Sequence, residues 1–472
     1  MSTRFARGEL AAVALAGVVA VVAWALVPTY PNYDSYFHLL WGRELLDGAR
    51  PGFEAYAAPT QHPLYLVIAA AAGLFGDGGD RLLVLVGVLS LVALVWGSYR
   101  LGDAAFGRAP GLLGGAFVGS SFAFLLYAAR AYVDVPFLAL VIWAAAIEAQ
   151  AGRDGRDRSL VVMGLLALAG LLRPEAWILG GAYALWRGRP SLVVLAAAPP
   201  LAWAAVDLWV TADPLYSLHA TNDLAEELNR DRSLADVPGS FVAFLTDTAR
   251  PPVAAAAVVG AVLAWRLRDR ATLRVPFALF AAGALTFAAT GLAGLSVLPR
   301  YLTVPAVVLC LLGGYGVLGF TTLPDGPARR RWARGALGAA VVGLGFVVAR
   351  APVVERLAVE LRFIRSTHDE LAAILADPAV RRGLRCGPLT LPNYRLVPDA
   401  RWILDAAPGR VGARSARRRD RGVALFVLGD KALGRFGFAA GASPSTNVPD
   451  PGFVPVARNR LYAAYVACPR AN

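Results

Sequence analysis

Apolar runs long enough to cross a bilayer recur along the first 350 residues of this chain, and no other feature narrows its fold as much. A hydrocarbon core of about 30 Å is crossed by roughly 20 residues of helix, and in lipid only a helix or a closed barrel satisfies its own backbone polar groups. The runs at 10–29, 82–101, 110–128, 134–149, 159–172, 175–187, 191–210, 252–267, 274–294, 301–320 and 335–350 predict eleven helical spans. A composition of 57% hydrophobic and 17% charged residues excludes a string of soluble domains. One further segment, His62 to Gly76, is apolar but short, which predicts a re-entrant or interfacial helix.

Topology then follows from the arginines. The net charge of +13 rests almost wholly on arginine, since Lys431 is the single lysine. The arginines are scattered over loops and do not array on one soluble face, which argues against a nucleic-acid partner. Short cytoplasmic loops attract arginine. If 62–76 does not cross, those loops hold Arg100 and Arg108, Arg153 to Arg158, Arg187 and Arg189, Arg266 to Arg274, and Arg329 to Arg334. If it does cross, each cluster moves outside. The expectation is a multi-pass plasma-membrane protein with its amino terminus in the cytoplasm and its carboxy terminus outside. The first run, behind Arg4 and Arg7, is too long for a cleaved signal and reads as a retained anchor.

From about Ala351 the pattern becomes mixed polar and apolar. This predicts a division into a membrane region, 1–350, and a small extracytoplasmic α/β domain, 351–472. A helix is expected from Ser366 to Leu375 with Ser366 as its cap, and strands at 388–391, 423–428 and 461–466. The arginine-rich stretch 410–421 reads as a solvated loop. Cys386 and Cys468 fall in that domain, where the compartment permits oxidation, and are expected to pair as a disulfide; Cys310 lies inside a span.

Ionisable residues near lipid are costly and therefore informative. The first outer loop opens Tyr30-Pro-Asn-Tyr-Asp-Ser-Tyr-Phe-His38 and ends Thr60-Gln-His-Pro63. It offers Tyr33, Asp34, His38 and His62. Asp134 stands in a second outer loop close behind Arg130, Arg173-Pro-Glu175 interrupts an apolar stretch, and Arg300-Tyr301 opens the tenth span. Each has a plainer reading: Asp34 and Asp134 as helix caps, Arg173 and Glu175 as a hairpin ion pair, Arg300 as a residue snorkelling to headgroups. His219 lies in the long outer loop 211–250, beside an acidic helix-like run from Asp223 to Asp231, and His368 reads as a helix-surface residue.

One chemistry uses such a set. A sugar on a polyprenyl phosphate presents its anomeric carbon at the outer leaflet with a phosphate as leaving group. That leaving group needs a cation more than an acid, a task for Arg300 or Arg173. The acceptor hydroxyl needs a carboxylate to take its proton, a task for Asp34. No phosphate-binding glycine loop, dinucleotide fingerprint or zinc-protease helix is present in the sequence.

At Tyr33-Asp34, His62-Pro63, Ala131-Tyr-Val-Asp-Val-Pro136 and Pro299-Arg300-Tyr301 the sequence resembles the GT-C superfamily of membrane glycosyltransferases, over roughly residues 10–310. The pattern is close to protein O-mannosyltransferases and the lipid A aminoarabinose transferase. The resemblance implies a GT-C-like, mostly α polytopic fold. It also implies a polyprenyl-phosphate sugar donor and inversion at the anomeric carbon, with Asp34 as catalytic base and Asp134 holding the site. Substrate contacts would come from Tyr33, His38, His62, Arg130, Arg173, Glu175, His219, Arg300 and Tyr301. The partners implied are the lipid-linked donor, a glycan, lipid or protein acceptor, and membrane lipids. Two departures bear on a divalent cation such as magnesium or manganese: Ser35 follows Asp34 where many relatives carry a second acid, and His62 stands where some carry glutamate. A transporter or flippase, or a polysaccharide polymerase or ligase, are the competing readings. No inverted repeat of the transporter kind is detected.

Overall fold

The structure, a computed structural model, describes residues 3–227, 237–292, 298–350, 352–437 and 447–468. In chain order its membrane region comprises α1 (Thr3–Leu26), α2 (Tyr33–Leu46), α3 (Pro63–Gly73), α4 (Gly79–Phe106), α5 (Arg108–Gly119), α6 (Phe122–Ala129), α7 (Asp134–Asp154) and α8 (Ser159–Gly170). It continues through α9 (Glu175–Arg187), α10 (Pro190–Thr211), α11 (Tyr216–Glu227), α12 (Val237–Ala249), α13 (Pro251–Leu267), α14 (Arg270–Leu292), α15 (Thr303–Leu318) and α16 (Pro327–Ala349).

All eleven expected spans are helical, but they are not alike. Among the described residues seven helices are long and apolar enough to cross a membrane, and nine if two bent pairs each count as one span. The remaining two expected spans are α8 and α9, of 12 and 13 residues, which pack as a hairpin. Each falls short of the roughly 20 residues that a perpendicular crossing takes. The helix in the ambiguous segment, α3, is likewise short at 11 residues.

The bent pairs are α5 with α6, at 56°, and α12 with α13, at 103°. A break in lipid strands backbone carbonyls, and here one break supplies donors to the other. Arg250, at the α12/α13 corner with φ 74°, donates to the Phe117 carbonyl (2.6 Å) and the Ser120 carbonyl (3.1 Å) at the α5/α6 break. Elsewhere close helix contact rests on small residues, as is usual in membranes. A Cβ on Gly260 of α13 would stand 1.9 Å from the Leu312 carbonyl oxygen of α15. The spans that begin at Asp134 and Pro299 are the most enclosed, whereas α1 and α16 face outward along nearly their whole length.

Beyond α16 lie α17 (Pro352–Ala376), α18 (Pro378–Cys386) and α19 (Val397–Leu404), with strands β1 (Leu389–Leu391), β2 (Val411–Ala413), β3 (Gly422–Val427), β4 (Val454–Arg458) and β5 (Tyr462–Ala467). The sheet has order β2-β1-β3-β5-β4; β1 pairs parallel with β2 and β3, and β5 pairs antiparallel with β3 and β4. β3 reads Gly-Val-Ala-Leu-Phe-Val and is buried along its length, as a strand covered on both faces should be. Leu371, Ile374 and Leu375 of α17 and Val380 of α18 share its core. Cys386 and Cys468 form a disulfide between the ends of α18 and β5, with a Cα–Cα separation of 5.3 Å.

Two expectations need correction here. Ser366 does not cap a helix, because α17 begins fourteen residues earlier and carries it as an internal position. The arginine-rich stretch is not wholly a loop. Its first residues form β2, and Arg414 is buried against Asp450 (2.8 Å). A three-residue edge strand is too short to leave a periodic signal, and the ion pair hides an arginine that composition alone places in solvent.

The sheet region docks on α2. Arg401 of α19 donates to the Glu44 carboxylate (2.9 Å), both side chains being buried, and Arg43 pairs with Asp405 while its guanidinium lies 3.8 Å from the Trp402 ring centre. So α2, which begins the first loop, is held between the membrane helices and the carboxy-terminal region.

Candidate active site

Asn32, not Asp34, caps α2. Its Oδ1 accepts from the backbone N–H groups of Asp34 (2.8 Å) and Ser35 (3.2 Å), the side-chain geometry that satisfies orphan donors at a helix start. The Asp34 carboxylate is therefore not used in capping. Asp134 makes no capping hydrogen bond either, standing at the first position of α7.

The two helix starts are tied to one turn. The Arg130 carbonyl accepts from the Asn32 N–H (2.9 Å) and Nδ2 (3.1 Å), and the Ala131 carbonyl accepts from the Ser35 hydroxyl (2.6 Å) and the Tyr65 hydroxyl. Ala131 is fully buried with φ 53°, a left-handed conformation that costs a non-glycine residue of order 1 kcal/mol and that its surroundings must hold in place. Arg130 completes the knot by donating through Nε and Nη2 to the carbonyls of Tyr30 and Pro31, at 2.8 Å each.

A cavity of about 1080 Å³ opens beside this knot. Of the expected site residues, Tyr33, Asp34, His62, Arg130, Arg173, Glu175, Arg300 and Tyr301 line it. Asp34 receives the Arg300 guanidinium at 3.2 Å, and both side chains are about 30% exposed. Asp134 sits behind the wall, wholly buried, and pairs with Arg173, which is held on its other side by Glu175. Arg173 thus serves two carboxylates and Arg300 one. The Tyr301 ring lies between the two guanidiniums, 5.3 Å from that of Arg173 and 5.9 Å from that of Arg300.

Two expected contacts are not in the cavity lining. His219 is exposed on α11 and pairs with Asp213 at 2.7 Å, since the helix turns that face to solvent. His38 is completely buried behind Asp34, its Nδ1 donating to the Asp34 carbonyl (2.7 Å) and its ring stacked on His62 at 5.1 Å. Burial lowers the His38 pKa to about 4, so the ring is neutral. It supports the start of α2 and does not face the cavity.

Other lining residues escaped the sequence reading. His368 is no surface residue: it stacks on Tyr30 (3.6 Å between centroids), and its Nδ1 donates to Asp399 (2.9 Å) with the Tyr36 hydroxyl 3.1 Å away. Burial favours the neutral ring, but the Asp399 carboxylate outweighs it and raises the His368 pKa above the usual imidazole value. Asp207, on α10, caps α11 by accepting from the Ser217 N–H (3.0 Å) and hydroxyl (2.9 Å). No local motif marks these residues, and His368 meets Tyr30 and Tyr36 from the far end of the chain. Among the described residues no group of three or more His, Cys, Asp or Glu side chains converges as a metal site.

No protein-family model matches the sequence, and no curated protein sequence matches it. Solved structures do. The crystal structure of ArnT from Cupriavidus metallidurans bound to undecaprenyl phosphate superposes with a TM-score of 0.57 at 15% identity, covering 97% of this chain and 99% of that one. The chain shares that fold. ArnT in the apo state aligns at 0.49 and the apo Archaeoglobus fulgidus oligosaccharyltransferase at 0.45, the latter with 12% identity over 86% of this chain and 64% of its own. The mostly α, polytopic architecture expected from the sequence is the architecture found, and the undecaprenyl-phosphate-bound ArnT structure shares its fold.

Proposed function

We propose that this protein is a membrane glycosyltransferase that moves a sugar from a polyprenyl-phosphate donor to an acceptor hydroxyl on the extracytoplasmic side. The observation that carries the reading is the Asp34–Arg300 pair, 3.2 Å apart and open to a large cavity at the head of the most enclosed span. The shared fold with ArnT supports it, since the solved ArnT structure holds undecaprenyl phosphate.

In this reading the donor phosphate displaces Arg300 from Asp34 in part. The acceptor oxygen forms a bond to the anomeric carbon while the bond from that carbon to the phosphate oxygen breaks, its electron pair leaving with the lipid phosphate. Asp34 takes the acceptor proton. Arg300 neutralises the second negative charge that develops on the phosphate, in a site where dipoles and charges are already fixed. Attack by the acceptor itself, with no enzyme nucleophile, inverts the anomeric centre. Asp134 holds Arg173 and with it the turn that carries Glu175. Among the described residues no group of three or more His, Cys, Asp or Glu side chains is placed to hold a metal ion.

The test is transfer by the purified full-length protein from a radiolabelled polyprenyl-phosphate sugar, scored as labelled acceptor and free lipid phosphate. A transporter would move label across a vesicle membrane without splitting it. Full transfer by Asp34→Asn would remove Asp34 as the base.

A further inference from the structure

The cavity wall supplied by the sheet region carries chemistry that the transfer step leaves unused. Arg395, in the turn Tyr394–Leu396, and Arg435, in the turn Leu433–Gly437, both line it. Arg395 Nη1 donates to the Arg435 carbonyl (2.8 Å) and Asn393 Nδ2 to the Phe436 carbonyl (2.7 Å), which fixes two sequence-distant turns side by side. Glu360 is the carboxylate of this cluster and is shared by Arg435 and by Lys431, whose Nζ lies 3.2 Å away. Arg395 is exposed and makes no ion pair among the described residues. Two cations, Arg395 and Arg435, thus line the wall, with Lys431 and the Glu360 carboxylate outside the lining, and Asp399, which also lines it, is committed to His368.

The same wall is aromatic. Tyr394 meets the edge of Tyr33 at 5.4 Å, Arg395 lies 5.9 Å from the Tyr394 ring centre, and Phe363 stacks with Phe436. Aromatic faces pack on the apolar C–H faces of sugar rings, and guanidinium forks match carboxylate and phosphate oxygens bidentately. The guanidiniums find no partner on a polyprenyl chain, which is a hydrocarbon. We propose that this wall is the acceptor subsite and that the acceptor is an acidic saccharide, a carbohydrate bearing carboxylate or phosphate groups. The proposal rests on the transfer reading for its role in catalysis, but binding at this wall is measurable without any donor.

The experiment is fluorescence anisotropy of labelled oligosaccharides with the full-length protein in neutral-lipid nanodiscs. The probes are an oligogalacturonate, a phosphorylated mannan oligosaccharide and a neutral malto-oligosaccharide of equal length. At least one acidic probe is expected to bind about tenfold more tightly than the neutral one, and Arg395→Ala with Arg435→Gln is expected to remove that preference, as loss of charge-assisted hydrogen bonds does. Preference for one acidic probe tells carboxylate from phosphate. Arg395→Lys with Arg435→Lys keeps the charge and is expected to retain most of the preference, which separates lost recognition from lost folding. Equal binding of acidic and neutral probes, or a preference untouched by the double substitution, overturns the proposal. So does a double variant that loses attachment to anionic phospholipid vesicles while keeping the acidic probe, because the cations then face headgroups. If the wild type binds the acidic probe but splits no polyprenyl-phosphate sugar, the transfer reading fails and the binding result stands.

Discussion

Asp34 and Asp134 open two helices stitched to the same turn, yet the structure gives them opposite surroundings. Asp34 keeps about a third of its side chain open to the cavity and meets one arginine at ordinary ion-pair distance. Asp134 is sealed, and its arginine is shared with Glu175. A carboxylate that accepts a substrate proton needs access and a partner it can part from. A carboxylate that fixes an arginine in low dielectric needs neither, and its loss takes away one of the two anchors of a buried guanidinium. The comparison teaches that equal placement in the sequence, an aspartate just past a span, says nothing of role until the partners are known.

The largest expected effect breaks the pair on the chemical side. Asp34→Asn is predicted to lower transfer by about 10²- to 10⁴-fold, the range for removal of a positioned base, with the melting temperature in detergent nearly unchanged. Asp134→Ala is predicted to do the reverse. Removing one partner of a buried ion pair costs up to about 3–5 kcal/mol when the other is left alone, and less here because Glu175 still holds Arg173, so the first readout is a lowered melting temperature. A stable Asp134→Ala protein with abolished transfer would show that the sealed carboxylate has a chemical role. Arg300→Lys sharpens the contrast at smaller scale. A point charge replaces a fork, and turnover is expected to fall about tenfold while Tm holds, since one charge-assisted hydrogen bond is of order 1.5–3 kcal/mol.

The smallest effect concerns pH. The folded pKa of His368 lies above its ordinary value of 6.5, so the protonated ring stabilises the docked region. That contribution is fully present below about 6.5 and is lost as pH rises through the folded value. Thermal stability measured across that window should decline towards alkaline pH in the wild type and decline less in His368→Gln. Equal slopes would assign the pH dependence to other groups.

Much of the architecture was legible because lipid imposes one rule on every span. Nine of the eleven predicted segments are found as long or bent apolar helices, and α3, of 11 residues, falls in the segment read as too short to cross. The strands β1, β3 and β5 were visible as compact apolar runs. What was not legible has a common cause. The α8–α9 hairpin is apolar enough for lipid but too short, and hydropathy counts composition before length. His368 was read as a helix-surface residue although it is largely buried, because a histidine's burial depends on which helix face meets a distant neighbour. For His368 that neighbour is Tyr30, 338 residues away in sequence.

By itself the sequence determined the membrane class, the order of the polar motifs and their membership of a few loops, because hydrophobic length and charge are local quantities. Tertiary structure alone decided which aspartate is open and which is sealed, and that the last quarter of the chain completes the cavity wall. Those outcomes depend on partners between 39 and 362 residues apart, such as Asp134 with Arg173 and Arg43 with Asp405. Ion pairing and burial act through space, and no local pattern in the chain encodes them.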